Sequence, residues 1–222
     1  MQCTCHILAS NNQRTISACL ESALRPRIFA KILVLLDTKS RDATGKILQQ
    51  YAARYPTIEV LTYKWSNPQD FAAARNACIS VTQTPYGFWL DSDEVLNKPE
   101  QLRDMLNRAN GQAFQMWVIS PVGGGKFHNM FQPRLFPVAP GVRFECPVFE
   151  RIDWSLKGAG IRMELTGDDP IFHPGYVDAT SLKKKNERNT RIMKKYLVEY
   201  RSDTEQRRHV ATQYQRLTGQ VL

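Results

Sequence analysis

At 222 residues, 42% of them hydrophobic, the chain has length for one substantial domain with a real core, or one domain plus a small appendage. No stretch approaches the roughly 18 consecutive apolar residues of a membrane span. Met1-Gln2-Cys3-Thr4-Cys5-His6 lacks the basic-then-apolar order of a secretory signal. The net charge of +9 is uneven: residues 181–222 hold eleven Lys/Arg against four Asp/Glu, and the body is nearly neutral. Such a segment is either a solvated helix face or a contact for an anionic partner, such as a membrane surface or nucleic acid. Five scattered cysteines (Cys3, Cys5, Cys19, Cys78, Cys146) complete no zinc site and read as free, buried thiols in a reducing cytoplasm.

Taken in order, residues 3–9 read as a first buried strand, and Ser10-Asn11-Asn12-Gln13 as a polar loop with helix-capping side chains. Ile16, Cys19, Leu20, Ala23 and Leu24 recur at helical spacing until Pro26 closes the segment. Ile32-Leu33-Val34-Leu35-Leu36-Asp37 is apolar at every position but the last, as in a parallel strand covered on both faces. A second helix follows, with Ile47, Leu48, Tyr51, Ala52 and Tyr55 on one side and Pro56 as its stop. Residues 58–63 form a third strand, Phe71 to Val81 a third helix, and Tyr86 to Leu90 a fourth strand.

This alternation predicts right-handed crossovers and a mainly parallel sheet flanked by helices. In such sheets ligands bind beyond the carboxyl ends of the strands. Asp37, Asp91 and Asp93 all fall there, and Asn11 follows the first strand closely. In Asp91-Ser92-Asp93-Glu94, an extended backbone would place Asp91 and Asp93 on one face. Carboxylates that close repel each other and call for a cation beside them. The alternative is a solvated acidic turn.

The second half changes character. A helix starts at Pro99 and ends at Asn110-Gly111; residues 113–119 read as a strand, and Pro121-Val122-Gly123-Gly124-Gly125 as a flexible hairpin connection. Residues 132–137 and 142–150 read as two short strand-like pieces, and residues 171–176 as a short apolar run containing His173. From Ala179 to Tyr200 the pattern is a basic amphipathic helix carrying Leu182, Ile192, Met193, Tyr196 and Leu197, and the polar end is helical or frayed. The expected division is 1–178 as the main domain, in halves 1–96 and 97–178, with 179–222 as a helical extension.

From residue 5 to about residue 195 the chain resembles the glycosyltransferase family 2 proteins of GT-A fold, especially the short bacterial and phage-borne ones. The matching stretches are the first strand with its Asn-containing loop, Asp37-Thr38-Lys39-Ser40-Arg41-Asp42-Ala43-Thr44, Phe71-Ala72-Ala73-Ala74-Arg75-Asn76 and Trp89-Leu90-Asp91-Ser92-Asp93-Glu94. Pro133-Arg134-Leu135-Phe136, Gly141-Val142-Arg143-Phe144-Glu145 and His173-Pro174-Gly175-Tyr176 continue it. The resemblance implies inverting transfer from a nucleotide-diphosphate sugar, UDP-linked in most of the family, to a glycan, protein or nucleobase acceptor. It places Asn11, Asp37, Arg75, Asp91 and Ser92 at the donor, and Mn²⁺ or Mg²⁺ on Asp93, Asp91 and His173. It makes Glu150 the base, with Glu145 in reserve, although the family's Val-His-Glu reads Val148-Phe149-Glu150 here. A nucleotidyltransferase competes, but the loop after the first strand has no glycine to cradle a triphosphate. A nucleic-acid-binding module using the basic end lacks interleaved aromatics.

Overall fold

The computed structural model describes residues 1–66, 69–123, 125–166, 171–174, 179–200, 202 and 204–220. The side chain of Leu182 lies outside that description, as do Gly124, Gly175, Tyr176 and the expected boundary at residue 178. The first half follows the expected alternation: β1 (Cys3–Ala9), α1 (Ile16–Leu24), β2 (Lys31–Asp37), α2 (Thr44–Arg54), β3 (Ile58–Tyr63), α3 (Phe71–Ser80) and β4 (Tyr86–Asp91). These strands lie in the order β3-β2-β1-β4, all parallel. All seven residues of β1 are buried.

The continuous apolar run of β2 has a direct cause in packing. Ile32 and Val34 join a core with Cys19, Leu20 and Leu48 from α1 and α2. Leu33 and Leu35 face the other way, against Trp65, Ala74 and Cys78. Each such side chain stabilises the fold by about 1.5–3 kcal/mol through burial alone. The five cysteines are free and buried, as expected.

The second half comprises β5 (Val95–Leu96), α4 (Pro99–Arg108), β6 (Ala113–Gly123), β7 (Lys126–Pro137), α5 (Asp153–Gly158), β8 (Met163–Leu165), β9 (Ile171–Phe172), α6 (Ala179–Glu199) and α7 (Glu205–Thr218). The hairpin β6–β7 docks antiparallel on β4 and extends the sheet to β3-β2-β1-β4-β7-β6-β9-β5, with β8 also on β6. Five of the eight pairings among the described residues are parallel.

Two expectations change. Residues 132–137 are the second half of one long strand, β7. Residues 142–150 are a loop, whose one bridge joins Glu145 to Arg151. Cys146 and Phe149 have φ of 70° and 53°, which a strand does not permit. Val142, Phe144, Cys146 and Val148 are nonetheless buried.

The basic C-terminal segment is two helices packed on the body. Ile192, Met193 and Leu197 of α6 and Val210 and Tyr214 of α7 share a core cluster with Cys146 and Val148. Thr204 caps α7 by accepting from Arg207 N–H, and Gly219 ends it in the left-handed conformation.

Candidate active site

A cavity of about 680 Å³ opens beyond the carboxyl ends of β1 and β4. This is where the strand order reverses direction, the position at which open sheets leave a crevice. β4 delivers Asp91 to its floor, and the chain turns at once: Glu94 N–H donates to Asp91 O at 2.9 Å. Asp91 and Asp93 therefore do not share one face of an extended strand, as the spacing alone suggested. The turn sends each to different partners. Asp91 Oδ1 accepts from Arg75 Nη2 at 2.7 Å. Asp93 Oδ2 accepts from Lys185 Nζ at 2.9 Å and lies 3.3 Å from His173 Nε2. Ser92, between them, is buried and lines the cavity.

The electrostatics follow these contacts. Burial raises the Asp91 pKa, but Arg75 and Arg134 outweigh it and hold the carboxyl below its usual range. For Asp93 burial is likewise overcome, first by His173 and then by Lys185. Burial opposes protonation of His173, yet its contact with Asp93 and the neighbouring carboxylates raise its pKa.

Arg75 is the hub of the opposite wall. It is 4% exposed, and its guanidinium lies 4.0 Å from the Trp89 ring centre. Nε donates to Glu150 Oε1 at 2.7 Å, so one side chain ties Glu150 to Asp91. Its remaining nitrogen, Nη1, is buried without a hydrogen-bond partner among the described residues, as is Trp65 Nε1 in the same cavity. Orphaned buried donors are costly, about 1–3 kcal/mol each. Two in one cavity mark where a ligand's acceptors belong. The loop carrying Glu150 is fixed by Asn76, which donates to Phe144 O at 2.9 Å and accepts from Phe144 N–H at 2.7 Å.

Several expected site residues lie elsewhere. Asp37 is buried and does not line the cavity; Ser10 Oγ and Lys39 N–H each donate to it at 2.9 Å. Asn11, at φ 56°, has its N–H on Ser40 Oγ and its Oδ1 on Arg41 N–H. With Asn12 on Thr44 and Gln13 on Asp42, these contacts staple the loop after β1 to the loop after β2. Ser10 and Asn12 are the members that reach the cavity. Glu145 is also outside it, with its two oxygens held by Arg143 and Gln206.

Other residues enter that the sequence did not single out. Glu94 and Arg134, each 1% exposed, form a two-pronged ion pair with both contacts at 2.7 Å. Glu94 Oε2 also accepts Asp91 N–H at 2.8 Å, so this pair shapes the turn. An arginine inside the apolar run Pro133-Arg134-Leu135-Phe136 was the available signal. α6 contributes Lys185 and Arg188, and α7 contributes His209.

Among the described residues no three His, Cys, Asp or Glu side chains are grouped to hold a metal ion by themselves. Mg²⁺ and similar hard cations need less, because they keep waters and take phosphate oxygens beside one or two protein ligands. A carboxylate oxygen from Asp93 and an imidazole nitrogen from His173, 3.3 Å apart on one cavity wall, fit that requirement.

The sequence model for glycosyl transferase family 2 matches residues 4–166. A TPR repeat-containing protein of Synechococcus elongatus is 31% identical over 153 residues, covering 64% of this chain and 36% of that protein. The SPbeta prophage-derived glycosyltransferase SunS of Bacillus subtilis is 33% identical over 95 residues, covering 43% of this chain and 21% of SunS. The chain thus spans well under half the length of either relative. Among solved structures, S. aureus TarS 1-349 in complex with UDP-GlcNAc superposes with a TM-score of 0.64 at 14% identity, covering 98% of this chain and 71% of that one. The mannosyltransferase PcManGT of Pyrobaculum calidifontis, in complex with GDP-Man and Mn²⁺, gives 0.63 at 12% identity, covering 96% and 69%. At these identities the likeness shows a shared fold, the GT-A arrangement.

Proposed function

Because this chain belongs to glycosyl transferase family 2, we propose that it moves a sugar from a nucleoside-diphosphate sugar to an acceptor hydroxyl, with inversion at the sugar carbon. The observation that carries this reading is the convergence of Asp91, Asp93, His173 and Glu150, from three separate stretches of chain, on one cavity that also holds unpartnered donors. The UDP-GlcNAc and GDP-Man complexes of the similar folds support a nucleotide-sugar donor, and we take a UDP-linked one.

The leaving group is a nucleoside diphosphate, so negative charge grows on its phosphate oxygens as the glycosidic bond breaks. Asp93 and His173 would hold Mn²⁺ or Mg²⁺, which when bound would supply Lewis-acid stabilisation of that charge. Arg75 contributes its unpartnered Nη1–H from the protein side. Glu150, held by Arg75 Nε, takes the acceptor's proton in this reading. Ser10 and Asn12, anchored through Asp37 and Thr44, line the donor side. The acceptor is a glycan, a protein or a nucleobase. Five free cysteines fit a reducing cytoplasm, and no helix among the described residues is long and apolar enough to cross a membrane.

A thermal-shift screen of UDP- and GDP-sugars with and without Mn²⁺ tests the proposal. One donor class should raise the melting temperature in a Mn²⁺-dependent way. If none does, the reading is wrong.

A further inference from the structure

One wall of the cavity comes from α6, which lies beyond the residues that the family model matches. Lys185 and Arg188 stand three positions apart, on one face of that helix, and both line the cavity. Lys185 Nζ is 2.9 Å from Asp93 Oδ2. Arg188 is oriented by Asn189, whose Oδ1 accepts from its Nε at 3.1 Å and its Nη2 at 3.0 Å. The Phe71 ring lies 4.8 Å from its guanidinium carbon. These contacts are an amide and a ring; among the described residues no carboxylate pairs with Arg188.

The cavity's own carboxylates are already engaged. Arg75 holds Asp91 and Glu150, Arg151 holds Asp153, and Lys185 and His173 hold Asp93. Arg188 has no carboxylate in ion-pair contact among the described residues, only the more distant fields of Glu150, Asp91 and Asp93 set against its burial. The cavity it lines also holds the unpartnered Arg75 Nη1. Both leave room for an anion supplied from outside.

We propose that Arg188 and Lys185 clamp the diphosphate of the donor, and that Lys185 occupies Asp93 until donor and divalent ion arrive. This rests on the nucleotide-sugar reading above. The planar fork of Arg188 suits phosphate oxygens. An ammonium and a divalent ion repel each other on one carboxylate oxygen, so Asp93 serves one at a time. Displaced Lys185, on its flexible stem, then stands beside the phosphates.

The handover makes the two affinities move in opposite directions, which a merely structural contact would not do. Isothermal titration of MnCl₂ alone, and of UDP or GDP in saturating MnCl₂, into the full chain reads both. Lys185→Met should bind Mn²⁺ about threefold or more tighter, because its competitor is gone. It should bind the diphosphate roughly tenfold weaker, and Arg188→Ala should do the same with Mn²⁺ affinity unchanged. Arg188→Lys should recover part of the loss, and Lys183→Ala, at an exposed position of α6 outside the cavity, should keep wild-type affinity for both. Should Lys185→Met melt early, Lys185→Gln replaces it, since it can still hydrogen-bond Asp93. Variants at both positions that bind diphosphate within about twofold of wild type, a difference of under half a kcal/mol, overturn the clamp alone. A wild-type chain that binds neither UDP nor GDP overturns the nucleotide-sugar reading and the clamp with it.

Discussion

Removing one partner of the Glu94–Arg134 pair should cost more than any surface substitution in this chain. Both side chains are 1% exposed. Arg134 gives two 2.7 Å contacts to Glu94, one at 2.6 Å to Gln132 Oε1 and one at 3.2 Å to Trp89 O. Its guanidinium carbon lies 3.5 Å from the Trp89 ring centre. In Glu94→Leu, Arg134 keeps its charge but loses its counter-charge, and Asp91 N–H loses its acceptor. Stranding a buried charge costs about 3–5 kcal/mol. Arg134→Met strands Glu94 by the same reasoning. The double variant Glu94→Leu/Arg134→Met removes both charges, so it should cost well under the sum, with a coupling of about 1.5–3 kcal/mol. Urea unfolding followed by tryptophan fluorescence measures all three, and Trp89 reports from beside the pair. The turn presenting Asp91 and Asp93 hangs on Glu94, so nucleotide binding should fall in the single variants too. Additivity within about 0.5 kcal/mol, or single-variant costs below about 1 kcal/mol, would refute the reasoning.

Two further outcomes follow from named contacts. Asn76→Ala removes both hydrogen bonds to the Phe144 backbone and should cost about 1–3 kcal/mol. It should also make the loop at 142–150 more susceptible to proteolysis; unchanged stability and cleavage would contradict the clamp role. His6 has its pKa lowered to about 3, by burial first and by Arg75 second. The unfolded chain therefore binds a proton that the fold refuses, so stability is full above about pH 6.5 and is lost as pH falls towards 3. The loss is about 1.4 kcal/mol per pH unit. His6→Gln should flatten the stability slope between roughly pH 6 and pH 4 by about one proton, and an unchanged slope would count against a buried neutral His6. Asp91 and Asp93, also held low, steepen the acid side in both proteins.

The parallel half of the fold was legible because β2 and β4 are buried on both faces and say so in apolar runs, and β1 is buried throughout although Thr4 and His6 interrupt its run. Residues 142–150 misled for an instructive reason. Val142, Phe144, Cys146 and Val148 alternate with more exposed neighbours just as a strand would. The alternation is real, but it comes from a loop dipping side chains into the core, not from ladder hydrogen bonds. Periodicity reports burial and is silent on pairing. Two-residue strands such as β5 and β9 are too short to show any period. At the site, the spacing located the strand ends correctly but could not say which polar groups satisfy one another. Asp37 and Asn11 are spent on joining two loops, while Asp93 and His173 meet although they stand 80 positions apart in the sequence. Charge counting found a basic C-terminal segment, but only the packing of α6 shows that Lys185 and Arg188 turn inward.

The measurement that bears most directly on the whole account is steady-state release of nucleoside diphosphate from the donor found in the screen. It compares wild type, Asp93→Ala and Glu150→Gln, with and without Mn²⁺. The account predicts Mn²⁺-dependent turnover in wild type, and a loss of about 100-fold or more in both variants, with donor binding retained in Glu150→Gln. Turnover by Asp93→Ala within a few-fold of wild type would contradict it.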